Sequence, residues 1–135
     1  MIKPSEFTDI TYEVSELIAT ITINRPDRYN ALRGRTVDEL LAAFKHAWVD
    51  KKVGAIILTG AGEKAFCTGG DQKERSTTGG YGDTETGMFE IESLHKLIRA
   101  VPKPVIAAVN GFAIGGGHVL HVLCDLSIAS ETAKI

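Results

Sequence analysis

Apolar residues recur along the chain at two spacings, which together predict alternating strands and helices. Short apolar runs rich in β-branched residues predict buried or half-buried strands. These runs are Phe7–Val14, Leu17–Ile23, Ala55–Thr59, Pro104–Val109 and Leu126–Ala129.

Three other stretches carry apolar residues three and four positions apart, which is typical of amphipathic helices. The first is predicted to begin at an N-cap at Thr36, with Glu39 completing a capping box, and to run to about Val49. Its apolar stripe, which includes Trp48, is expected in the core. The second runs from about Met88 to Ile98, and the third follows a glycine triplet near the end of the chain.

This order of elements predicts an α/β fold with a largely parallel sheet, in a single domain over residues 1–135. A net charge of −2 without a large basic cluster disfavours nucleic acid and acidic membrane surfaces as partners. No apolar run has the length of a membrane span, and the N-terminus lacks the apolar segment of a signal peptide. Cys67 and Cys124 lack CxxC spacing, so a reducing, cytoplasmic compartment is expected.

Two glycine-rich turns lie in the loops that follow the predicted strands Ala55–Thr59 and Val105–Val109, each near a predicted helix start, the first of them a short helix at Lys73–Arg75. They are Gly69-Gly70 and Gly115–Gly117. Because parallel sheets bind ligands beyond the carboxyl ends of their strands, the amides of Gly70 and Gly116 could converge there as an oxyanion hole. Tight packing of a helix against a strand is the alternative explanation, and it suits Gly117 equally well.

Three sequence stretches together carry a family resemblance. They are Asn24-Arg25-Pro26 with Asn30-Ala31, Ala65–Asp71, and Pro102–Val105 with Gly111–Gly117 and Cys124–Leu126. They resemble the enoyl-CoA hydratase/isomerase (crotonase) superfamily. The resemblance implies a superhelix of ββα units, of which this chain is the N-terminal half, and an enzyme that acts on an acyl-CoA thioester through an oxyanion-stabilised enolate. It also implies a homotrimer or hexamer, with coenzyme A as part of the substrate and no separate cofactor or metal.

By motif match, the resemblance assigns the oxyanion-hole roles to Gly70 and Gly116. It implies substrate or coenzyme A contacts for a larger set: Arg28, Ala31, Arg33, Ala65, Thr68, Gly69, Asp71, Gln72, Tyr81, Ile114 and Gly115. Asp71 has an alternative explanation, because a carboxylate at a helix N-terminus also stabilises the helix dipole.

Within the superfamily, Gly69–Gln72, Gly79–Tyr81 and Gly115–His121 most resemble the 1,4-dihydroxy-2-naphthoyl-CoA synthases of menaquinone synthesis, which are lyases that close a ring. The ring-opening 2-ketocyclohexanecarboxyl-CoA hydrolases share Phe66–Gln72 and are the first alternative. Two further alternatives are hydration or isomerisation of an enoyl-CoA, and a non-catalytic role in binding coenzyme A. Val119 stands where the hydratases carry a glutamate, which argues against simple hydration.

Two departures from the family pattern bear on the site. Tyr29 stands where the synthases carry an arginine that meets the coenzyme A phosphates, so Arg28 or Arg33 is the candidate for that contact. The family domain is roughly twice as long as this chain. The general base is therefore expected beyond Ile135.

Two further clusters have competing explanations. His118, His121 and Asp125 share one helix face at a spacing that suits metal ligands, while the resemblance favours packing or hydrogen bonding. Cys67 is expected to be a small buried thiol and not a nucleophile.

Overall fold

The computed structural model describes all residues, 1–135, and confirms the predicted α/β fold. Seven strands and four α-helices follow one another along the chain. They are β1 (Ile10–Ser15), β2 (Ile18–Ile23), α1 (Gly34–Val49), β3 (Ala55–Gly60), β4 (Ala65–Cys67), α2 (Gln72–Thr78), α3 (Ile91–Ala100), β5 (Val105–Val109), β6 (Phe112–Ala113), α4 (Gly116–Leu123) and β7 (Leu126–Ala129). No helix combines the length and the apolarity that crossing a bilayer requires.

The strands form two sheets between which the chain alternates. The main sheet has the order β1-β2-β3-β5-β7, in which β1 is antiparallel to β2 and the other neighbours are parallel. β4 and β6 pair as a separate, parallel two-stranded sheet. The chain therefore repeats a main-sheet strand, a small-sheet strand and a helix, which is the predicted ββα arrangement.

The core lies where α1 covers the main sheet. Val37, Leu40 and Phe44 on α1 are fully buried, as are Ile21 and Leu58 on the sheet. Burial of each such side chain contributes about 1.5–3 kcal/mol relative to exposure. This apolar layer holds the main sheet, and the glycine turns emerge from the small sheet beside it.

The predicted N-cap of α1 is wrong, because the helix begins two residues earlier, at Gly34. Thr36 lies in the first turn, and its Oγ1 accepts from the Arg33 amide at 3.2 Å. The Gly34 amide finds an acceptor in the Tyr81 carbonyl, a partner distant in sequence. Glu39 is fully buried and accepts from the amides of residues 8–10 instead of closing a capping box. Tertiary hydrogen bonds thus set this helix start.

Three other predicted details are also wrong. The first strand begins at Ile10 and not at Phe7, because residues 4–6 form a 3₁₀ turn. Met88 is 65% exposed and precedes α3. Trp48 is 39% exposed, since it lies in the last turn of α1, where Ala47 is the final buried residue.

Candidate active site

The small sheet brings the two glycine turns together. β4 leads into Gly69-Gly70, β6 leads into Gly115–Gly117, and the two strands are paired in parallel. The turns approach so closely that a Cβ on Gly69 would lie 3.0 Å from the Gly116 nitrogen. Gly69 also has φ +90°, which L side chains rarely adopt. The predicted convergence of the two turns is confirmed.

The amides of Gly70 and Gly116 have no acceptor within the protein. Around the first, the Leu32 amide donates to the Gly69 carbonyl at 2.7 Å and the Asp71 amide donates to the Leu32 carbonyl at 2.8 Å. Around the second, the Gly117 amide donates to the Ile114 carbonyl at 2.9 Å. Both donors are thus held by their neighbours but left open, which is the arrangement that stabilises an oxyanion.

Gly117 serves packing, which was the alternative explanation for it. A Cβ at this position would overlap the Cys67 carbonyl oxygen of β4. The missing side chain lets α4 start directly against the small sheet. Burial raises the pKa of the Cys67 thiol to about 12, so the predicted inert thiol is confirmed at that position.

Tyr81 covers Gly70. A Cβ on Gly70 would lie 2.7–2.8 Å from atoms of the Tyr81 ring, so only glycine permits this contact. The ring packs against Phe89 at 4.4 Å between centroids, and Arg75 Nη1 donates to the Tyr81 hydroxyl at 3.2 Å. Arg75 was absent from the sequence predictions, because the run Lys73-Glu74-Arg75 looks like any solvated, charged helix turn.

Asp71 lies inside a buried ion cluster and is only 2% exposed. Its carboxylate accepts from Arg25 Nη2 and Arg28 Nη1, each at 2.9 Å, and from the Glu74 amide at 3.0 Å. Burial by itself raises the pKa of Asp71, but these hydrogen bonds and the two guanidinium charges hold it below its ordinary value. The helix N-cap explanation is confirmed, and this carboxylate orders the loop. A contact between Asp71 and substrate stays a prediction.

Both arginines expected to meet phosphate are engaged by carboxylates. Arg28 holds Asp71, and Arg33 Nε and Nη2 each donate to Asp9 at 2.8 Å. Their side chains remain 31% and 38% exposed, respectively. Each guanidinium group therefore keeps exposed N–H groups that could donate to a phosphate, and the phosphate contact stays a prediction.

Two asparagines fix the start of β4. The side-chain amide of Asn30 donates to the Ala65 carbonyl at 2.7 Å, and that of Asn110 donates to the same oxygen at 2.9 Å. Asn30, Ala31 and Ala65 are buried. Neither asparagine was predicted as a site residue, although Asn30 lies in a quoted motif, because only the fold brings Ala65 to both. A cavity of about 450 Å³ opens beside Ala65 and Lys64.

The remaining predicted contacts lie around the turns. Thr68 Oγ1 donates to the Tyr29 carbonyl at 3.1 Å, and Gln72 is exposed next to Gly70. Ile114 is 51% exposed and Gly115 has φ +56°. Ile114 and Gly115 line one cavity, and the contacts of all four residues with substrate stay predictions.

The histidines and Asp125 do not converge on one point. His118 Nδ1 lies 2.9 Å from His121 Nε2, so the two rings bond to each other. Asp125 Oδ2 accepts from the Val105 amide at 2.7 Å. The hydrogen-bonding explanation is the one that the geometry supports.

Comparison with known proteins places this site in a family. A sequence model described as "Enoyl-CoA hydratase/isomerase" matches residues 13–135. The solved enoyl-CoA hydratase from Bacillus anthracis is 35% identical, with a TM-score of 0.83 over 93% of this chain and 49% of that one. An enoyl-CoA hydratase/isomerase from Xanthobacter autotrophicus Py2 is 34% identical, with a TM-score of 0.84 over 94% of this chain and 48% of that one. An enoyl-CoA hydratase from Mycobacterium avium subsp. paratuberculosis K-10 is 30% identical, with a TM-score of 0.80 over 94% of this chain and 49% of that one.

The chain spans about half the length of these solved structures. Within that span the match covers the main sheet, the small sheet and both glycine turns. The chain belongs to the enoyl-CoA hydratase/isomerase (crotonase) superfamily.

Proposed function

We propose that this chain supplies the oxyanion hole and much of the coenzyme A site of an enzyme that converts an acyl-CoA thioester to its enolate. The supporting observation is the approach of two glycine turns whose Gly70 and Gly116 amides lack an acceptor within the protein. An enolate concentrates negative charge on the former carbonyl oxygen, where fixed N–H donors are most effective. Each such donor contributes about 3–4 kcal/mol to transition-state stabilisation in other enzymes.

The coenzyme A arm would run along Ala65–Gly70. The cavity beside Ala65 has room for part of it, and its lining includes the Lys64 ammonium next to the carboxylates of Asp27 and Glu63. The exposed edges of Arg28 and Arg33 are further candidates for phosphate contact. Assembly into a trimer or hexamer remains a prediction of the family resemblance.

For the acyl group, we favour ring closure of the 1,4-dihydroxy-2-naphthoyl-CoA synthase type. Tyr81 and Arg75 present a hydroxyl and a cation beside Gly70, which suits an acyl group that carries its own carboxylate. Val119 is aliphatic and 40% exposed, so it cannot replace the proton-moving glutamate of a hydratase. Ring opening of a β-keto-acyl-CoA uses the same enolate and is the second candidate.

Two thioesters distinguish these candidates. The protein is incubated separately with o-succinylbenzoyl-CoA and 2-ketocyclohexanecarboxyl-CoA, and products are identified by mass spectrometry. Turnover of the first alone supports ring closure, and turnover of the second alone supports ring opening. Binding by calorimetry without turnover of either would leave a binding role, whereas absence of binding would contradict the proposal as a whole.

A further inference from the structure

A chain of three hydrogen-bonded side chains joins α4 to β7. His118 Nδ1 lies 2.9 Å from His121 Nε2, and His121 Nδ1 lies 2.9 Å from Ser127 Oγ. Ser127 Oγ is also 3.1 Å from the His121 carbonyl oxygen. We call His118, His121 and Ser127 the histidine relay.

The position of the serine proton sets the direction of the relay. Two oxygens at 3.1 Å require a proton between them, and only the Ser127 hydroxyl can supply it. That hydroxyl therefore accepts from His121 Nδ1–H, and Nε2 of the neutral His121 ring is an acceptor. His118 must then donate through Nδ1, and in the neutral tautomer that does so the proton is absent from Nε2.

Burial keeps the inner ring neutral. His121 is 8% exposed, and its ring packs edge-on against Phe66 at 6.4 Å between centroids. This burial, together with the neighbouring His118, lowers the pKa of His121. An uncharged His121 Nε2 is what the outer ring needs as an acceptor.

The outer ring lies beside the oxyanion turn. His118 is exposed and lines a cavity of about 440 Å³ together with Ala113, Ile114 and Gly115. Gly115 immediately precedes the Gly116 amide. The outer ring of the relay therefore borders a cavity next to the turn that carries the Gly116 amide, and position 119 of the same helix offers only valine.

We propose that His118 is a catalytic base for the thioester chemistry, with His121 and Ser127 as its positioning residues. This inference rests on the proposed function. The C–H bond next to the thioester carbonyl breaks, and its proton bonds to His118 Nε2. The C–H electron pair becomes the enolate double bond, and the carbonyl π pair moves to the oxygen that the Gly70 and Gly116 amides hold. The imidazolium keeps its Nδ1–H bond to His121. Its exposed Nε2–H exchanges with solvent, and His118 then returns a proton, or a deuteron in heavy water, to carbon when the enolate is reprotonated.

Deuterium exchange isolates this step. o-Succinylbenzoyl-CoA is incubated with the protein in heavy water, and deuterium at the carbon next to the thioester is measured in the recovered substrate. His118→Asn retains an amide donor near the Nδ1 position but has no counterpart of Nε2. We expect exchange at least ten-fold slower than in the wild type, with an unchanged calorimetric Kd. His46→Asn, on α1, is the control and should exchange at the wild-type rate.

The outcomes separate the two proposals. Equal exchange in His118→Asn, or wild-type binding without exchange, would overturn the role of His118 and leave thioester binding intact. Wild-type protein that binds no thioester would overturn the proposed function itself.

Imidazole ¹⁵N NMR tests the relay without any ligand. We expect the wild-type His118 ring to carry its proton on Nδ1. Ser127→Ala should give a mixture of tautomers at His118 in this spectrum. In the thioester assay the same variant should exchange deuterium several-fold more slowly at an unchanged Kd. Ser127→Thr should restore the single tautomer and the exchange rate. A wild-type His118 protonated on Nε2 would overturn the inference.

Discussion

The two glycine turns offer the same chemical group but are supported by different forces. The Gly70 amide lies in an irregular loop that is held by the Leu32 ladder and by the buried ion cluster of Arg25, Arg28 and Asp71. The Gly116 amide opens a helix that is seated by close backbone packing of Gly117 on β4. One donor thus depends on buried charge, and the other depends on the absence of a side chain.

This contrast shows that an oxyanion hole need not have one structural origin. Helix α4 positions its donor at the positive end of a helix dipole, where tight packing is enough. The loop before α2 has no regular hydrogen-bond ladder beyond one bridge, so it needs charged side chains to define its path. The two supports should therefore fail under different perturbations.

Gly117→Ala should have the largest effect, because its Cβ would overlap the Cys67 carbonyl oxygen. We expect a loss of at least about 5 kcal/mol in the free energy of unfolding, or no folded protein. Urea unfolding measures this loss. Gly80→Ala is the control, since a Cβ there meets nothing within 4 Å. A well-folded, stable Gly117→Ala protein would show that packing is not what seats α4.

Asp71→Asn should come next. It leaves Arg25, whose side chain is only 10% exposed, without its shortest ion-pair partner. Removing one partner of a buried pair costs about 3–5 kcal/mol. Asp27→Asn, at an exposed carboxylate on the neighbouring 3₁₀ turn, is the control. Equal stability of the two variants would show that the loop carrying Gly70 does not depend on the buried charges.

The two buried carboxylates that pair with arginines, Asp9 and Asp71, predict loss of stability in acid. The folded-state pKa values of Asp9 and Asp71 lie below their ordinary value of 3.8. Their stabilisation is therefore complete above that value and is lost as the pH falls through the folded-state values. Thermal melts from about pH 6 to about pH 2 should show a steeper decline for the wild type than for Asp71→Asn. An equal decline of melting temperature with pH in the two proteins would contradict the contribution of ionised Asp71 to stability.

Gly116→Pro should lower activity while sparing the fold. Proline is tolerated at the first position of a helix, and its ring carbon replaces the N–H proposed to hold the enolate oxygen. We expect turnover of the accepted thioester to fall about 10²–10³-fold. Gly116→Ala keeps the N–H, and its Cβ would meet Gly69 Cα at an ordinary 3.4 Å, so it shows whether a side chain at this position lowers turnover by itself. Near-normal turnover in the proline variant would exclude Gly116 from the oxyanion hole.

Tyr81→Phe should have the smallest effect. The ring would still cover Gly70 and pack on Phe89, and only the hydroxyl near Arg75 would be lost. A single hydrogen bond contributes about 1 kcal/mol, so we expect turnover about five-fold slower. Tyr29→Phe, at a ring 48% exposed, provides the comparison. An unchanged rate would show that the Tyr81 hydroxyl does not contribute to turnover and that the ring only packs over Gly70.

Local sequence determined the elements and both turns. Period-two and helical spacing located β2, β3, β5, α3 and the body of α1, because those patterns record which face of an element is buried. The two glycine turns were recognisable because glycine at such points has few other uses. The family motifs then indicated which amides matter.

What the sequence did not determine depends on partners distant along the chain. The start of α1 moved to Gly34 because Tyr81 and Asp9 satisfy its first turn. Asp71 is buried because its carboxylate pairs with Arg25 and Arg28. The direction of the histidine relay depends on Ser127 of β7. Hydrogen bonds and ion pairs require geometry that only folding supplies, whereas apolar periodicity can be read from neighbours in the chain. The sequence by itself therefore determined where the donors lie, and the tertiary structure decided what holds and surrounds them.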